Sequence, residues 1–301
     1  MTWLWVVATN PQQGPAPLWL QEAFEKLGVY TRRVYQFVLV VAQGLLALIT
    51  LTSCQHQSRP SFAGPEALVV RVLAEHPHDR SAFTQGLLWF RGKVVESTGL
   101  YARSGVRRWD LKTGTIELSG KLPDNMFGEG LALVGRDLVQ LTWKNGKAIY
   151  WDLMTMRLLK EVPYEGEGWG LCYDGTRLVM SDGSDKLVFR SPKDFSILQQ
   201  VKVRKQDIPV DDLNELECVG DEVYANVWQT DYIARIDAKT GVVTGWIDAS
   251  NLLKGEDKRG TDVLNGIAYV PETKRFLLTG KNWPKMFEVE FVATQSPGGQ
   301  R

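Results

Sequence analysis

The chain has 301 residues, 44% of them hydrophobic, which is enough apolar material for a large buried core. Its 35 Lys and Arg balance 35 Asp and Glu, so there is no net field to hold a polyanion, and nucleic-acid binding is set aside. Three histidines (His56, His76, His78), three cysteines, no HExxH and no clustered Cys/His spacing argue against a histidine-built zinc site.

Residues 1–65 are unlike the rest. Residues 34–52 are almost wholly apolar, follow Arg32-Arg33, and run into Leu51-Thr52-Ser53-Cys54 and a polar stretch over 55–61. A basic region, an apolar core and small residues before a cysteine read as an export signal with a lipoprotein cleavage box, in which Cys54 takes the lipid. The apolar run is also long enough to remain as an uncleaved membrane anchor. The small residues placed just before Cys54 favour processing. Either way, the expectation is an exported protein, periplasmic or at the cell surface, held to the membrane by a lipid or by the apolar segment.

Residues 66–295 carry a repeat. Its copies read Phe83-Thr84-Gln85-Gly86-Leu87, Phe127-Gly128-Glu129-Gly130-Leu131, Glu167-Gly168-Trp169-Gly170-Leu171, Leu213-Asn214-Glu215-Leu216-Glu217 and Leu264-Asn265-Gly266-Ile267-Ala268. The residues before the aliphatic stand at 86, 130, 170, 215 and 266, at intervals of 44, 40, 45 and 51, the repeat length of a propeller blade. Each copy is followed by a turn signal and a short run of β-formers, such as Val94-Val95-Glu96-Ser97 and Val223-Tyr224-Ala225-Asn226-Val227. A third run ends in Asp110, Asp152 or Asp237, and a fourth completes a meander. An irregular β-sandwich would not return its turns in one order at one period. The expected fold is all-β, a five-bladed β-propeller of four-stranded antiparallel blades. The fifth repeat supplies only three strands, so the unassigned strand at 67–73 is expected to be the outer edge of the last blade and to close the ring; 296–301 is a polar tail.

Gln85, Glu129, Trp169, Asn214 and Asn265 each precede the register position, and in a ring such positions converge on one axis. Around them stand Phe83, Phe127, Trp143, Trp228, Lys281 and Trp283. Tryptophans also fill spaces between blades, but Glu, Asn and Lys at equivalent places are not what a purely structural channel needs. Apolar walls with a few convergent polar groups are the usual form of a small-molecule site. His76-Pro77-His78 reads as a turn beside a strand rather than a metal pair. Cys172 and Cys218 sit in neighbouring repeats and are open to two readings, a disulfide or two buried thiols.

The nine motifs from Phe83-Thr84-Gln85-Gly86-Leu87, through Glu96-Ser97-Thr98-Gly99-Leu100-Tyr101, Gln140-Leu141-Thr142-Trp143 and Ala225-Asn226-Val227-Trp228, to Thr279-Gly280-Lys281-Asn282-Trp283-Pro284 resemble, in order, the plant and bacterial type of glutaminyl-peptide cyclotransferase. The resemblance implies a five-bladed, metal-independent enzyme that converts an N-terminal glutaminyl residue to pyroglutamate with loss of ammonia. The substrate's α-amine attacks its own side-chain amide, so the enzyme must fold that side chain back, move a proton and hold an oxyanion. Glu129 is the expected proton shuttle, with Asn214 and Lys281 as donors to the developing oxyanion. Phe83, Gln85, Phe127, Trp143, Trp169 and Trp228 are expected to bind the glutaminyl group. Glu167 and Glu217 are read as blade-to-blade hydrogen-bonding groups. Burial would raise the Glu129 pKa and Lys281 would lower it, and the sequence does not say which wins. The expected partner is the N-terminus of a peptide or protein, met by a monomer. Two other classes fit the pattern: a lactonase-like propeller hydrolase holding calcium, against which Lys281 argues, and a non-catalytic surface lipoprotein that binds a peptide or sugar.

Overall fold

Three of the repeat's turns are built to one design, and they show why the meanders form. Asp110, Asp152 and Asp237 close their strands, and each Oδ1 accepts hydrogen bonds from the backbone N–H two and three residues on and from the hydroxyl of Thr113, Thr155 or Thr240. Such side-chain turns satisfy the backbone of a tight reversal without a partner strand. The structure, a computed structural model, describes residues 64–294 together with Glu22, Glu25, Leu27 and Gly28. Cys54, the apolar run at 34–52 and the tail at 296–301 lie outside the described residues. The chain divides into two compact units, Met1–Ser61 and Phe62–Arg301. In the first, the four described residues are helical. Among the described residues no helix is long and apolar enough to cross a membrane.

The second unit is a five-bladed propeller. Blade 1 is Thr84–Phe90, Lys93–Thr98, Gly105–Asp110 and Ile116–Lys121; blade 2 is Gly128–Val134, Asp137–Thr142, Lys147–Asp152 and Leu158–Pro163. Blade 3 is Leu171–Tyr173, Leu178–Met180, Lys186–Arg190 and Ile197–Lys202; blade 4 is Leu213–Val219, Glu222–Val227, Tyr232–Asp237 and Val243–Asp248. Blade 5 takes Leu264–Val270, Arg275–Gly280 and Lys285–Ala293 from the end of the chain and Glu66–Pro77 from upstream of blade 1.

That closing strand is longer than the sequence suggests. It pairs antiparallel with Lys285–Ala293, from Leu68 opposite Ala293 to Pro77 opposite Lys285. Its first residues also run parallel to the outer strand of blade 4, with Glu66 opposite Gly245, so blades 4 and 5 merge into one eight-stranded sheet. Just past this strand, buried His78 touches the Trp283 carbonyl through Nδ1 (2.8 Å) and Glu96 Oε1 through Nε2 (3.1 Å). Burial alone would raise the Glu96 carboxyl. Arg107, His78 and the Thr84 hydroxyl overcome this and hold it well below the usual carboxylate range. His78 is therefore a structural group, as its place beside a strand suggested.

The axis is closed by close approach. The aliphatics after the register position (Leu87, Leu131, Leu171, Leu216 and Ile267) are fully buried. A Cβ on Gly86 would lie 2.6 Å from Leu131 N, one on Gly130 would lie 2.4 Å from Leu171 N, and one on Gly170 would lie 1.9 Å from Asn214 O. Only glycine lets successive inner strands stack this tightly. In blade 4 the pattern gives way to Glu215, whose carboxylate accepts from Leu87 N (3.1 Å) and Ile267 N (2.8 Å), tying blades 5 and 1 across the axis. Glu217 likewise accepts from Tyr269 N (2.8 Å), a blade-to-blade bond of the kind expected. Cys172 and Cys218 form a disulfide between the inner strands of blades 3 and 4, with Cα atoms 5.5 Å apart, which resolves the choice left open above.

Candidate active site

The loaded positions coincide with irregularities in the ladders. In blades 1, 2, 4 and 5 the pairing of the inner and second strands slips at Gln85, at Glu129-Gly130, at Asn214-Glu215 and at Asn265-Gly266. A bulge re-aims the side chain it carries. Here four inner strands use one to turn a polar group out of the ladder near the mouth, where the inner strands begin and the second strands end.

Phe83, Gln85, Phe127, Glu129, Trp143, Trp169, Asn214, Trp228 and Lys281 all line one cavity of about 330 Å³, together with Leu100 and Asp262. Two residues singled out in the sequence stand elsewhere. Asn265 is buried behind the cavity, where its Nδ2 donates to Gln85 Oε1 (3.1 Å) and to the Thr84 carbonyl (2.9 Å). Trp283 packs against Phe287 and donates its indole N–H to the Asp262 carbonyl (2.9 Å), so it supports the rim without lining it.

Glu129 is buried among the polar groups that line the cavity. Gln85 Nε2 donates to its Oε1 at 2.9 Å. Because Asn265 occupies the Gln85 oxygen, the Gln85 amide is fixed as a donor toward Glu129, and the acid proton of Glu129 therefore belongs on Oε2. Burial pushes the Glu129 pKa well above the usual value; Lys281 opposes the rise and Glu167 adds to it. Desolvation thus wins the contest that the sequence left undecided. Burial also lowers the Lys281 pKa, against the pull of Glu129 and Asp262. The Lys281 ammonium lies 5.0 Å from the Phe83 ring centre. Asn214 Oδ1 is buried with no hydrogen-bond partner among the described residues, so it keeps capacity for a ligand.

The walls are aromatic and braced. Phe127 meets Phe83, Tyr101 and Trp143 edge to face, at centroid distances of 6.1, 5.5 and 5.6 Å. Trp169 and Trp228 meet at 5.5 Å and 82°. One oxygen of Glu167 accepts the indole N–H of both Trp143 (2.8 Å) and Trp169 (3.2 Å), which bridges blades 2 and 3 and fixes two walls together. A Cβ on Gly99 would sit 2.4 Å from Phe127, so that glycine makes room for the ring.

Leu100 and Asp262 were not singled out from the sequence. Leu100 lies within a motif quoted for the resemblance but gives no chemical cue; its backbone, at φ 82°, is in the left-handed region that a leucine seldom adopts. Asp262 falls in the long 249–263 connection before blade 5, outside the repeated positions. Its N–H donates to the Lys281 carbonyl at 2.9 Å, which holds the two residues side by side.

A closed propeller with a buried carboxyl whose pKa is raised, a lysine and an asparagine inside aromatic walls defines an enzyme pocket for a small polar group. The sequence profile of the family described as glutamine cyclotransferase matches residues 45–291, reaching upstream of the first motif at Phe83. A glutaminyl-peptide cyclotransferase from Arabidopsis thaliana is 42% identical over 235 residues, covering 76% of this chain and 73% of the relative. The crystal structure of Myxococcus xanthus glutaminyl cyclase matches with a TM-score of 0.70 at 39% identity, covering 77% of this chain and 100% of that one. This chain belongs to the glutamine cyclotransferase family.

Proposed function

We propose that the protein is a glutaminyl-peptide cyclotransferase, converting N-terminal glutaminyl residues of peptides or proteins to pyroglutamate with release of ammonia. The observation that carries the reading is Glu129, an acid whose pKa burial raises, inside the cavity that also holds Lys281 and Asn214. The substrate's α-amine has a pKa of about 7.7–8.0, so a useful fraction arrives unprotonated near neutrality. Its nitrogen attacks the side-chain amide carbon, forming the ring C–N bond and placing negative charge on the amide oxygen. Lys281 and the Asn214 Nδ2 group donate to that oxygen. Glu129 gives its Oε2 proton to the departing nitrogen as the old C–N bond breaks, and recovers a proton from the ring nitrogen, so the enzyme ends as it began. Gln85 holds the acid in place, the aromatic walls admit the neutral side chain, and Asp262 offers a carboxylate to the α-ammonium at the mouth.

The decisive assay is ammonia release from a Gln-initiated dipeptide, with and without a chelator. Turnover that is indifferent to the chelator is the expected result. Loss of turnover would favour the calcium hydrolase, and binding without turnover the non-catalytic lipoprotein. From the sequence alone we also propose export, lipidation at Cys54 and action as a monomer. Cys54→Ala should abolish acylation, read by mass spectrometry.

A further inference from the structure

Strand direction fixes which end of the propeller faces away from the cavity. Inner strands begin at the mouth, so third strands also begin there and outer strands begin at the opposite end. In blade 5, Pro77 pairs with Lys285, close after the cavity residue Lys281, whereas Leu68 pairs with Ala293 at the far end. The polypeptide linking the N-terminal segment to the propeller therefore enters at the end opposite the active site.

That far end is distinctive on blades 1 to 3. Ile116, Leu158 and Ile197 are the first residues of three successive outer strands, and they are 50%, 43% and 53% exposed. Met154, Leu159 and Leu198, close to them in the chain, are exposed as well. The equivalent residue of blade 4, Val243, is only 2% exposed. The far-end turns of blades 1 to 3 carry six basic residues against two acidic ones, Asp174 and Asp194. Arg91, Lys112, Arg136, Arg157 and Lys193 are exposed. Asp174 is held in an ion pair with Arg177 (2.8 Å), and Asp194 accepts from the Ser196 hydroxyl. The mouth side of the same blades is more acidic: the connections at 99–104, 122–127, 143–146, 164–170, 181–185 and 203–212 carry eight acidic residues against four basic ones.

We infer that the far face of blades 1 to 3 docks on the anionic lipid headgroups of the membrane to which the chain is attached, so that the cavity opens away from the bilayer. This rests on the membrane attachment proposed above. The ten steps from Cys54 to Gly64 span at most about 35 Å when extended, so a lipid on Cys54 keeps this end of the propeller within reach of the bilayer. Exposed aliphatics with Lys and Arg in the adjoining turns suit an interface where apolar groups enter the headgroup layer and cations meet lipid phosphates. An acidic mouth is repelled by the same surface. Peptide N-termini then reach the pocket without crossing the headgroups.

The test uses the full chain on vesicles of phosphatidylcholine with and without phosphatidylglycerol, read by amide hydrogen exchange. Anionic vesicles should slow exchange about tenfold in the turns at 111–115, 153–157 and 191–196 and leave the mouth loops at 99–104 and 228–231 unchanged. Combining Lys112→Glu, Arg157→Glu and Lys193→Glu should remove that protection with cyclisation unaltered. Protection at the mouth, protection that ignores phosphatidylglycerol, or concentration-dependent protection without vesicles (a second copy covering the face) would each overturn the inference. The mass of Cys54 in the same material reports the anchor separately. Protection without an acyl group would leave docking standing and remove the anchor, and an acyl group without protection would do the reverse.

Discussion

Glu129→Gln isolates proton exchange from everything else Glu129 does. Burial raises the pKa of the wild-type acid and so favours its neutral form, whose shape and charge glutamine reproduces. The new carbonyl oxygen still accepts from Gln85 Nε2 across 2.9 Å, and the new amide stands where Oε2 carried the proton. What disappears is the ability to give that proton to the leaving nitrogen. General acid–base assistance of this kind contributes about 10²–10⁴ in rate, or about 2.7–5.4 kcal/mol of barrier. The sign of the pH effect follows from the same shift. Below the raised pKa the folded protein holds the acid form, and as pH rises through it wild-type turnover should fall. The variant should lack this alkaline limb while keeping the acidic limb set by the substrate amine. Its thermal midpoint should match wild type below about pH 4.5 and exceed it increasingly as pH rises toward the raised pKa, because over that range the unfolded carboxyl ionises and the folded one does not. Initial rates of ammonia release across pH, alongside thermal melts, read all of this. Near-wild-type turnover by a folded Glu129→Gln protein would refute the reasoning, as would a large loss of stability at neutral pH.

Lys281→Ala and Asn214→Ala should each lower kcat by about 10²–10³ with a smaller rise in KM, as steady-state kinetics would show for donors engaged mainly in the transition state. Burial pushes Glu217 up to about 8 from the usual 4.5, so wild-type stability on its account is full below pH 4.5 and is lost as pH rises through 8. Glu217→Gln still accepts from Tyr269 N and should flatten thermal midpoint against pH in that window while leaving turnover alone. Replacing Cys172 and Cys218 with serine opens a loop with a sequence separation of 46, and chain entropy puts the loss at about 4 kcal/mol, measurable by denaturant titration.

Blade number, strand order and the closing strand were legible because each repeat carries its own turn chemistry and its own register residue. The cavity was legible for a related reason: the residue before the register position falls at a bulge in four blades, so one sequence position selects one direction in space. Where that rule met a neighbour it failed. Asn265 occupies the fifth loaded position, yet the adjacent Gln85 takes up its amide and keeps it behind the cavity. Leu100 and Asp262 come from connections, where no period constrains the backbone, and only folding brings them to the wall. The balance between burial and Lys281 at Glu129 was likewise invisible, since it depends on how completely the walls exclude water. The disulfide needed a distance between two inner strands, and residue spacing alone does not supply one.

The closing strand also dictates an order of events during folding. Glu66–Pro77 is made before any blade, but its antiparallel partner Lys285–Ala293 is made last, about 220 residues later. Contacts this distant in sequence form slowly, because the loop between them must close first. Until they form, blade 5 has no outer strand, and the earliest strand beyond Val69, where its pairing with blade 4 stops, is an unpaired edge. Ring closure therefore waits until the whole chain has emerged, and a nascent chain awaiting it is exposed to edge-to-edge association. A chaperone acting on this protein would have one segment above all to cover, the twelve residues from Glu66 to Pro77.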